Sequence, residues 1–316
     1  MNRLVITRAL PDQLLARMPD SVTPVFLNQS GAFDAEVFLS ALEGADAALV
    51  TPAVRIDARL VARLPASVGV LGTFSVGTDH IDLDATSARG LAVVNTPDVL
   101  SFATAELALT LMLMAARRAG EAERLVRAGG WRGWTPDFMM GRSLEGKTLG
   151  ILGMGRIGRA LARMARGLSM QVIYHNRRQS DEADGAEFVS DESQFLARCD
   201  VLSIHLPGGA ATRHWLNEAR IEQMQPSAIV VNTGRGSTID DAALAAALRS
   251  GRIAAAGLDV FVQEPAVPWD YLMLENVVVL PHIGSATRET RLAMGLLALE
   301  GIVAVLAGHR PTNLVR

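Results

Sequence analysis

The stretch KTLGILGMGRIGRALARMARGLSMQVIYHNRR, residues 147–178, decides how the rest of the chain reads. It opens on an apolar run, Thr148–Leu152, of the kind that forms a buried strand. Gly153-Met154-Gly155-Arg156-Ile157-Gly158 follows at once. Ala160, Leu161, Met164, Ala165 and Leu168 then recur at helical spacing, and Val172-Ile173-Tyr174 starts a second strand. Strand, glycine turn, helix and strand in this order are the context in which G-x-G-x-x-G holds a dinucleotide. Gly153 permits the tight turn, Gly155 lets the backbone approach a pyrophosphate, and Gly158 lets the helix pack close to the sheet. The phosphates would sit on the helix N-terminus, where amide donors are free and the dipole is positive. Met154, Arg156 and Ile157, between the glycines, belong to the same cradle. An ordinary glycine-rich βα turn is the alternative for the motif alone, and the flanking strands and helix weigh against it.

The end of the second strand bears on which dinucleotide is used. In an NAD site, a carboxylate about 20 residues past the glycines accepts hydrogen bonds from the ribose hydroxyls. Here the strand runs into His175-Asn176-Arg177-Arg178, with no carboxylate. A guanidinium binds a 2′-phosphate through charge-assisted hydrogen bonds, whereas an acid would repel it. NADP(H) is therefore expected to be preferred and NAD(H) to be possible, with Asn176 on the ribose and Arg177 or Arg178 on the phosphate. The ordinary alternative is that both arginines are solvated loop charges.

At 316 residues the chain is long for one core and comfortable for two domains. An apolar content of 49% with 20% charged residues fits a soluble globular protein. A net charge of −3 gives no reason to expect a nucleic-acid or acidic-membrane partner. The single cysteine, Cys199, excludes an internal disulfide and a zinc site built on several thiolates, and no metal is expected. The first residues, MNRLVITRALP, are too short in apolar run for a secretory signal. The most apolar helical stretch, Ala103–Ala116, carries Glu106 and falls short of the ~20 residues that span a bilayer. The cytoplasm is the expected location.

Outward from the glycine motif, short apolar strands alternate with helical segments on both sides. Leu4–Ile6, Val25–Leu27, Ala47–Val50, Val68–Leu71 and Ala92–Val94 precede it, with helices at Asp12–Met18 and Glu36–Leu42. Val201–Ile204, Ala228–Val231, Ala254–Val260 and Val277–Leu280 follow it, with an alanine-rich helix at Asp240–Arg249 and a final helix from 286 to about 306. Alternation of this kind predicts parallel sheets covered by helices on both faces. A long helix is expected from Ser101 to Arg127, with Leu107, Leu111, Met114 and Ala115 on one face. Behind it, Gly129–Pro136 is an arm of glycines with Trp131 and Trp134. Two indoles there need something to pack on, either a partner subunit or the flank of their own domain. The loop Phe74–Asp82 lies just past a strand end, where ligands of open α/β sheets gather, and exposed amides at its glycine suit a carboxylate. A turn that only reverses the chain is the ordinary alternative, and His80 alone reads as a packed or solvated histidine.

Arg235, Glu264 and His282 each lie at or just beyond the end of a strand. Hydride transfer between a nicotinamide and a 2-keto acid needs these three residue types. A guanidinium holds the carboxylate bidentately. A histidine near its ordinary pKa of about 6.5 supplies the proton that the developing alkoxide takes. A neighbouring carboxylate keeps that imidazole protonated and oriented. Taken singly, each has an ordinary reading: a surface charge beside a turn, a residue before a loop proline, a strand-end cap.

GMGRIG at 153–158, NTGRG at 232–236, GLDVF then EP at 257–265, and PHIGSAT at 281–287 occur in one fixed order. With them the chain resembles the D-isomer-specific 2-hydroxyacid dehydrogenases along nearly its whole length. SVGTDHID, NTPDVL, GGWRGW with its following Thr-Pro, and PHIGSATRET are similar to the glyoxylate/hydroxypyruvate reductase branch. The resemblance implies two Rossmann-like domains: a doubly wound nucleotide domain, 99–285, inserted into a flavodoxin-like substrate domain, 1–98 with 286–316. It assigns Arg235 to the substrate's carboxylate and carbonyl, Glu264 to supporting the histidine, and His282 to acid/base work. It implies that Val76 and Gly77 offer amides to the carboxylate and that Asp259 contacts the nicotinamide carboxamide. Thr104, His205, Pro207, Thr212, Thr233 and Gly284 match positions around the cofactor. It further implies a homodimer in which Trp134 reaches toward the partner's substrate site. Two positions depart from the pattern: Phe102 replaces a small or acidic residue, and PAVPWDYLML lacks the usual His-Pro-Leu. The expected activity is NADPH-dependent reduction of small 2-keto acids to 2-hydroxy acids. Alternatives are another D-2-hydroxy acid such as phosphoglycerate, or a nucleotide-sensing corepressor without catalysis. With no chain beyond Arg316, an appended regulatory domain is not expected.

Overall fold

Six helices among the described residues open on an aspartate or asparagine whose side chain accepts a first-turn amide: Asp34, Asp57, Asp82, Asp191, Asn217 and Asp240. Such caps satisfy donors that the helix leaves free, so the start of each of these six helices is fixed locally by one polar residue. The computed structural model describes residues 1–27 and 33–315. The chain divides into two units, Met1–Leu100 with Ser285–Arg316, and Ser101–Gly284.

The first unit carries β1 (Asn2–Ile6), β2 (Val22–Phe26), β3 (Ala47–Val50), β4 (Val70–Thr73) and β5 (Ala92–Val94), all parallel, in the order β2-β1-β3-β4-β5. This is the flavodoxin-like order. Val5, Phe38, Leu42, Val50, Ile56 and Leu71 are among its buried core. Helix Arg288–Leu306, capped by Thr287, packs back on this sheet, and a Cβ on Gly72 would meet Ile302 at 2.6 Å. The fourth strand starts two residues later than expected, because Val68 closes a turn onto Pro65 and Gly69 pairs with Asp46.

The second unit carries β6 (Thr148–Leu152), β7 (Gln171–His175), β8 (Glu187–Phe188), β9 (Val201–Ile204), β10 (Ile229–Asn232), β11 (Ala255–Leu258) and β12 (Val277–Val279). The order is β12-β11-β10-β9-β6-β7-β8, again all parallel. Strand order reverses at β6, so the switch point between β6 and β9 is where a doubly wound sheet opens a ligand crevice. The edge strand β8 lies in the polar run after Arg178, where no strand is expected. It is two residues long and has one partner, too little to leave an apolar signature.

The helix expected over Ser101–Arg127 is two helices, Ser101–Ala116 and Ala119–Arg127. Arg118 is left-handed at the break, with φ +53°, and the Ala116 carbonyl is taken by the Arg142 amide of the returning arm. The break falls on Arg117-Arg118, and the nearest glycine, Gly120, lies inside the second helix. The first helix lies against the sheet, where a Cβ on Gly257 would meet Leu111 at 2.9 Å, while the second buries no residue. No helix among the described residues is long and apolar enough to cross a membrane.

Candidate active site

The glycine turn has the geometry that the motif demands. Gly153 is at φ +98°, and a Cβ there would come within 3.0 Å of the His205 backbone. A Cβ on Gly158 would meet the Gly153 carbonyl at 2.6 Å and Ile151 at 2.9 Å, so the helix Arg156–Gly167 can approach β6 only with glycine there. At Gly155, the N-cap, nothing lies within 4 Å of a built Cβ. The first-turn amides that follow it have no intrahelical acceptor. These features fit a pyrophosphate, the group that the turn would hold by backbone alone.

Asn176 accepts from the Met154 amide through Oδ1 at 2.8 Å, which ties the end of β7 to the glycine turn and leaves its own NH₂ uncommitted by that bond. Arg177 and Arg178 follow, both exposed. Their loop is closed by a residue that sequence reasoning passed over. Buried Tyr174 accepts from the Ser180 amide at 3.0 Å and donates to the Ser180 carbonyl at 3.4 Å.

Across the switch point, at the end of β9, His205 pairs through Nε2 with Ser203 Oγ at 2.9 Å, while Nδ1 lies 3.4 Å from Thr233 Oγ1. Burial pulls its imidazole down to about 4, so it is neutral at ordinary pH. Thr212 donates to the Pro207 carbonyl at 2.7 Å, which shapes the next loop.

Arg235 leaves β10 in a loop organised by buried Asn232, whose side chain accepts from Gly234 N at 2.9 Å and donates to the Arg235 carbonyl at 3.0 Å. A Cβ on Gly236 would stand 2.1 Å from Phe261, so glycine there lets this loop lie against the one carrying Glu264. Glu264 accepts from Phe261 N at 2.9 Å through Oε1, and Oε2 lies 2.6 Å from His282 Nδ1. Burial alone would raise the Glu264 carboxyl. The His282 contact, the Phe261 amide and the charge of Arg235 outweigh it and hold the group below its ordinary value. The three candidate catalytic residues thus lie in one neighbourhood at the carboxyl edge of the sheet.

Asp259 sets the backbone of the histidine. Its two carboxylate oxygens accept from Ile283 N and Gly284 N, each at 2.8 Å, and its carbonyl accepts from His282 N at 2.9 Å. His282 is left-handed at φ +54°, a strained conformation for a non-glycine residue, and this clamp holds it. Burial raises the Asp259 carboxyl to about 6 against the opposing pull of the two amides. Thr104 is close by, its Oγ1 3.6 Å from a Cβ built on Gly284.

Val76 and Gly77 belong to the first unit, in the loop after β4. Trp134 projects from the arm 77% exposed, and Trp131 at 57% bonds within the arm to the Gly133 carbonyl. Cys199 is buried, which raises its thiol far above the range of a nucleophile. No cluster of metal-ligating side chains occurs among the described residues.

The sequence profile of the family described as "D-isomer specific 2-hydroxyacid dehydrogenase, NAD binding domain" matches residues 109–284. The chain is 39% identical over 320 residues to a glyoxylate reductase of Thermococcus litoralis, covering 99% of this chain and 96% of that one. It is 46% identical over 288 residues to a glyoxylate reductase of Aeropyrum pernix, covering 89% and 85%. Among solved structures, an NADPH-dependent glyoxylate/hydroxypyruvate reductase of Sinorhizobium meliloti, in complex with NADP and malonate, superposes with a TM-score of 0.89. Its identity is 32%, over 99% of this chain and 96% of that one.

Proposed function

The chain belongs to the D-isomer-specific 2-hydroxyacid dehydrogenases, and from that footing we propose that it reduces glyoxylate and hydroxypyruvate to D-2-hydroxy acids with NADPH as preferred donor. The observation that carries this reading is the 2.6 Å contact of His282 with Glu264, beside Arg235 and on the same sheet edge as the glycine turn. A bound reduced nicotinamide supplies the hydride. Arg235 presents its planar guanidinium to the keto acid's carboxylate and carbonyl oxygen. With Nδ1 of His282 committed to Glu264, Nε2 passes the proton to the carbonyl oxygen as negative charge develops there. Glu264 stabilises the imidazolium before transfer and keeps its ring in line. Asp259, with lone pairs beyond those given to two amides, accepts from the nicotinamide carboxamide.

The Val76 and Gly77 amides receive the carboxylate from the first unit, which serves as the substrate domain. Arg177 and Arg178 take the 2′-phosphate, and Asn176 the ribose. Two copies pair through the segment Ser101–Arg127, with its two helices, and the arm Gly129–Pro136, and Trp134 enters the partner's substrate site. The enzyme works in the cytoplasm. Steady-state rates with glyoxylate, hydroxypyruvate, pyruvate and a phosphorylated hydroxy-acid precursor, each with NADH and NADPH, test the assignment. Failure to turn over the two named acids, or faster turnover of the phosphorylated one, sinks it.

A further inference from the structure

The loop that follows β4 contains three successive peptide groups whose carbonyls are all taken by the protein. Ser75 O accepts from Thr96 N at 2.9 Å, Val76 O from Asn95 Nδ2 at 2.8 Å, and Gly77 O from Ser75 Oγ at 2.7 Å. In a trans peptide the N–H points opposite to the C=O. The amides of Val76, Gly77 and Thr78 therefore face away from these partners, and none of them donates to an acceptor among the described residues. Successive unpaired amides at the carboxyl end of a strand are the donors from which anion sites are made.

The hydroxyl proton of Ser75 is committed to the Gly77 carbonyl. Thr73 Oγ1, 2.8 Å away, must then donate to Ser75. His80 Nε2, 2.9 Å from Thr73 Oγ1, must in turn carry a proton and donate to it. The hydrogen-bond directions are fixed from the carbonyl backward through three side chains. On the other side, the backbone of Asn95 is held independently of its side chain. Its N–H donates to Asn313 O at 3.2 Å, and its carbonyl accepts from Asn313 Nδ2 at 2.8 Å.

We propose that Asn95 and Ser75, the latter backed by Thr73 and His80, are positioning residues that aim the Val76–Thr78 amides at a substrate carboxylate. The inference rests on the reading that this loop receives that carboxylate. Capture of both flanking carbonyls prevents the peptide planes from flipping, so the donors are oriented before the substrate arrives.

Asn95→Ala, Ser75→Ala and the hydroxyl-restoring Ser75→Thr test this, each assayed with glyoxylate and with its uncharged methyl ester. Each alanine variant is expected to raise KM for glyoxylate about 10-fold, the worth of one misaligned charge-assisted hydrogen bond. The kcat at saturating glyoxylate and the KM for NADPH should stay within about twofold. Ser75→Thr should restore the wild-type KM, and the ester should show no dependence on either residue. An unchanged KM for glyoxylate in both alanine variants overturns the positioning role, as does an equal rise for acid and ester. Wild-type enzyme that handles acid and ester alike overturns instead the reading that a carboxylate is held at all.

Discussion

His282 Nδ1 lies 2.6 Å from Glu264 Oε2, while the other carboxylate oxygen of Glu264 is fixed by the Phe261 amide. The carboxylate is thus oriented by the backbone and in turn orients the ring. Its depressed pKa means it stays ionised as the pH falls through the ordinary carboxylate range. In Glu264→Gln the charge is gone, and the imidazolium loses its counter-charge. The falling limb of the reduction rate should move to lower pH. At neutral pH kcat should drop roughly 10-fold, as for one lost charge-assisted hydrogen bond of about 1.5 kcal/mol. A pH–rate profile superimposable on that of the wild type would contradict the assignment.

His282→Ala should lower kcat by about 10²–10⁴-fold, the usual worth of a positioned acid/base. Cofactor affinity, read by quenching of protein fluorescence, should be retained. Loss of cofactor binding along with activity would mean that the residue supports the fold of its loop.

Asp259→Asn places an amide NH₂ where one of two backbone donors now points, and so releases the turn that keeps His282 at φ +54°. The expected result is a kcat loss close to that of His282→Ala, with kcat insensitive to a further His282→Ala change. Additive losses in the double variant would show that Asp259 acts apart from the histidine.

Tyr174→Phe should weaken discrimination between the nicotinamides, because the hydroxyl closes the loop bearing Arg177 and Arg178 onto Ser180. Arg177→Ala with Arg178→Ala should abolish most of the preference and leave NADH activity nearly intact. Equal losses with both cofactors in either variant would show that the loop supports the fold and does not read the 2′-phosphate.

His205 contributes a pH dependence to stability. Its folded pKa of about 4 is depressed by burial, so below the unfolded value of about 6.5 the unfolded chain takes up a proton that the folded one refuses. The stabilisation is complete above that unfolded value and is lost as the pH falls toward the folded one. Between pH 6.5 and 4.5 the wild type should lose on the order of 5 °C more in Tm than His205→Asn. Parallel melting curves for the two proteins would exclude a buried neutral imidazole.

Much of this architecture was legible in the residues alone. G-x-G-x-x-G between an apolar run and a helical repeat specifies its own backbone, because only glycine fits Gly153 at φ +98° and Gly158 against Ile151. Arg235, Glu264 and His282 could be expected near one another because each follows a strand end, and they do lie in one neighbourhood. Three features could not be read there. The break at Arg118 depends on the arm returning Arg142 to the Ala116 carbonyl, a contact 26 residues away with no local signal. The two-residue β8 is held by its neighbour and not by its own pattern. The hydrogen bonds of Asp259, Asn232, Tyr174 and Asn95 join residues that sequence order separates or leaves without an obvious partner. Local propensity and periodicity determine which segments become strands and helices. Which polar atoms meet, and hence how the histidine, the arginine loop and the Val76–Thr78 amides are aimed, was decided only when each sheet brought its own distant strand ends side by side.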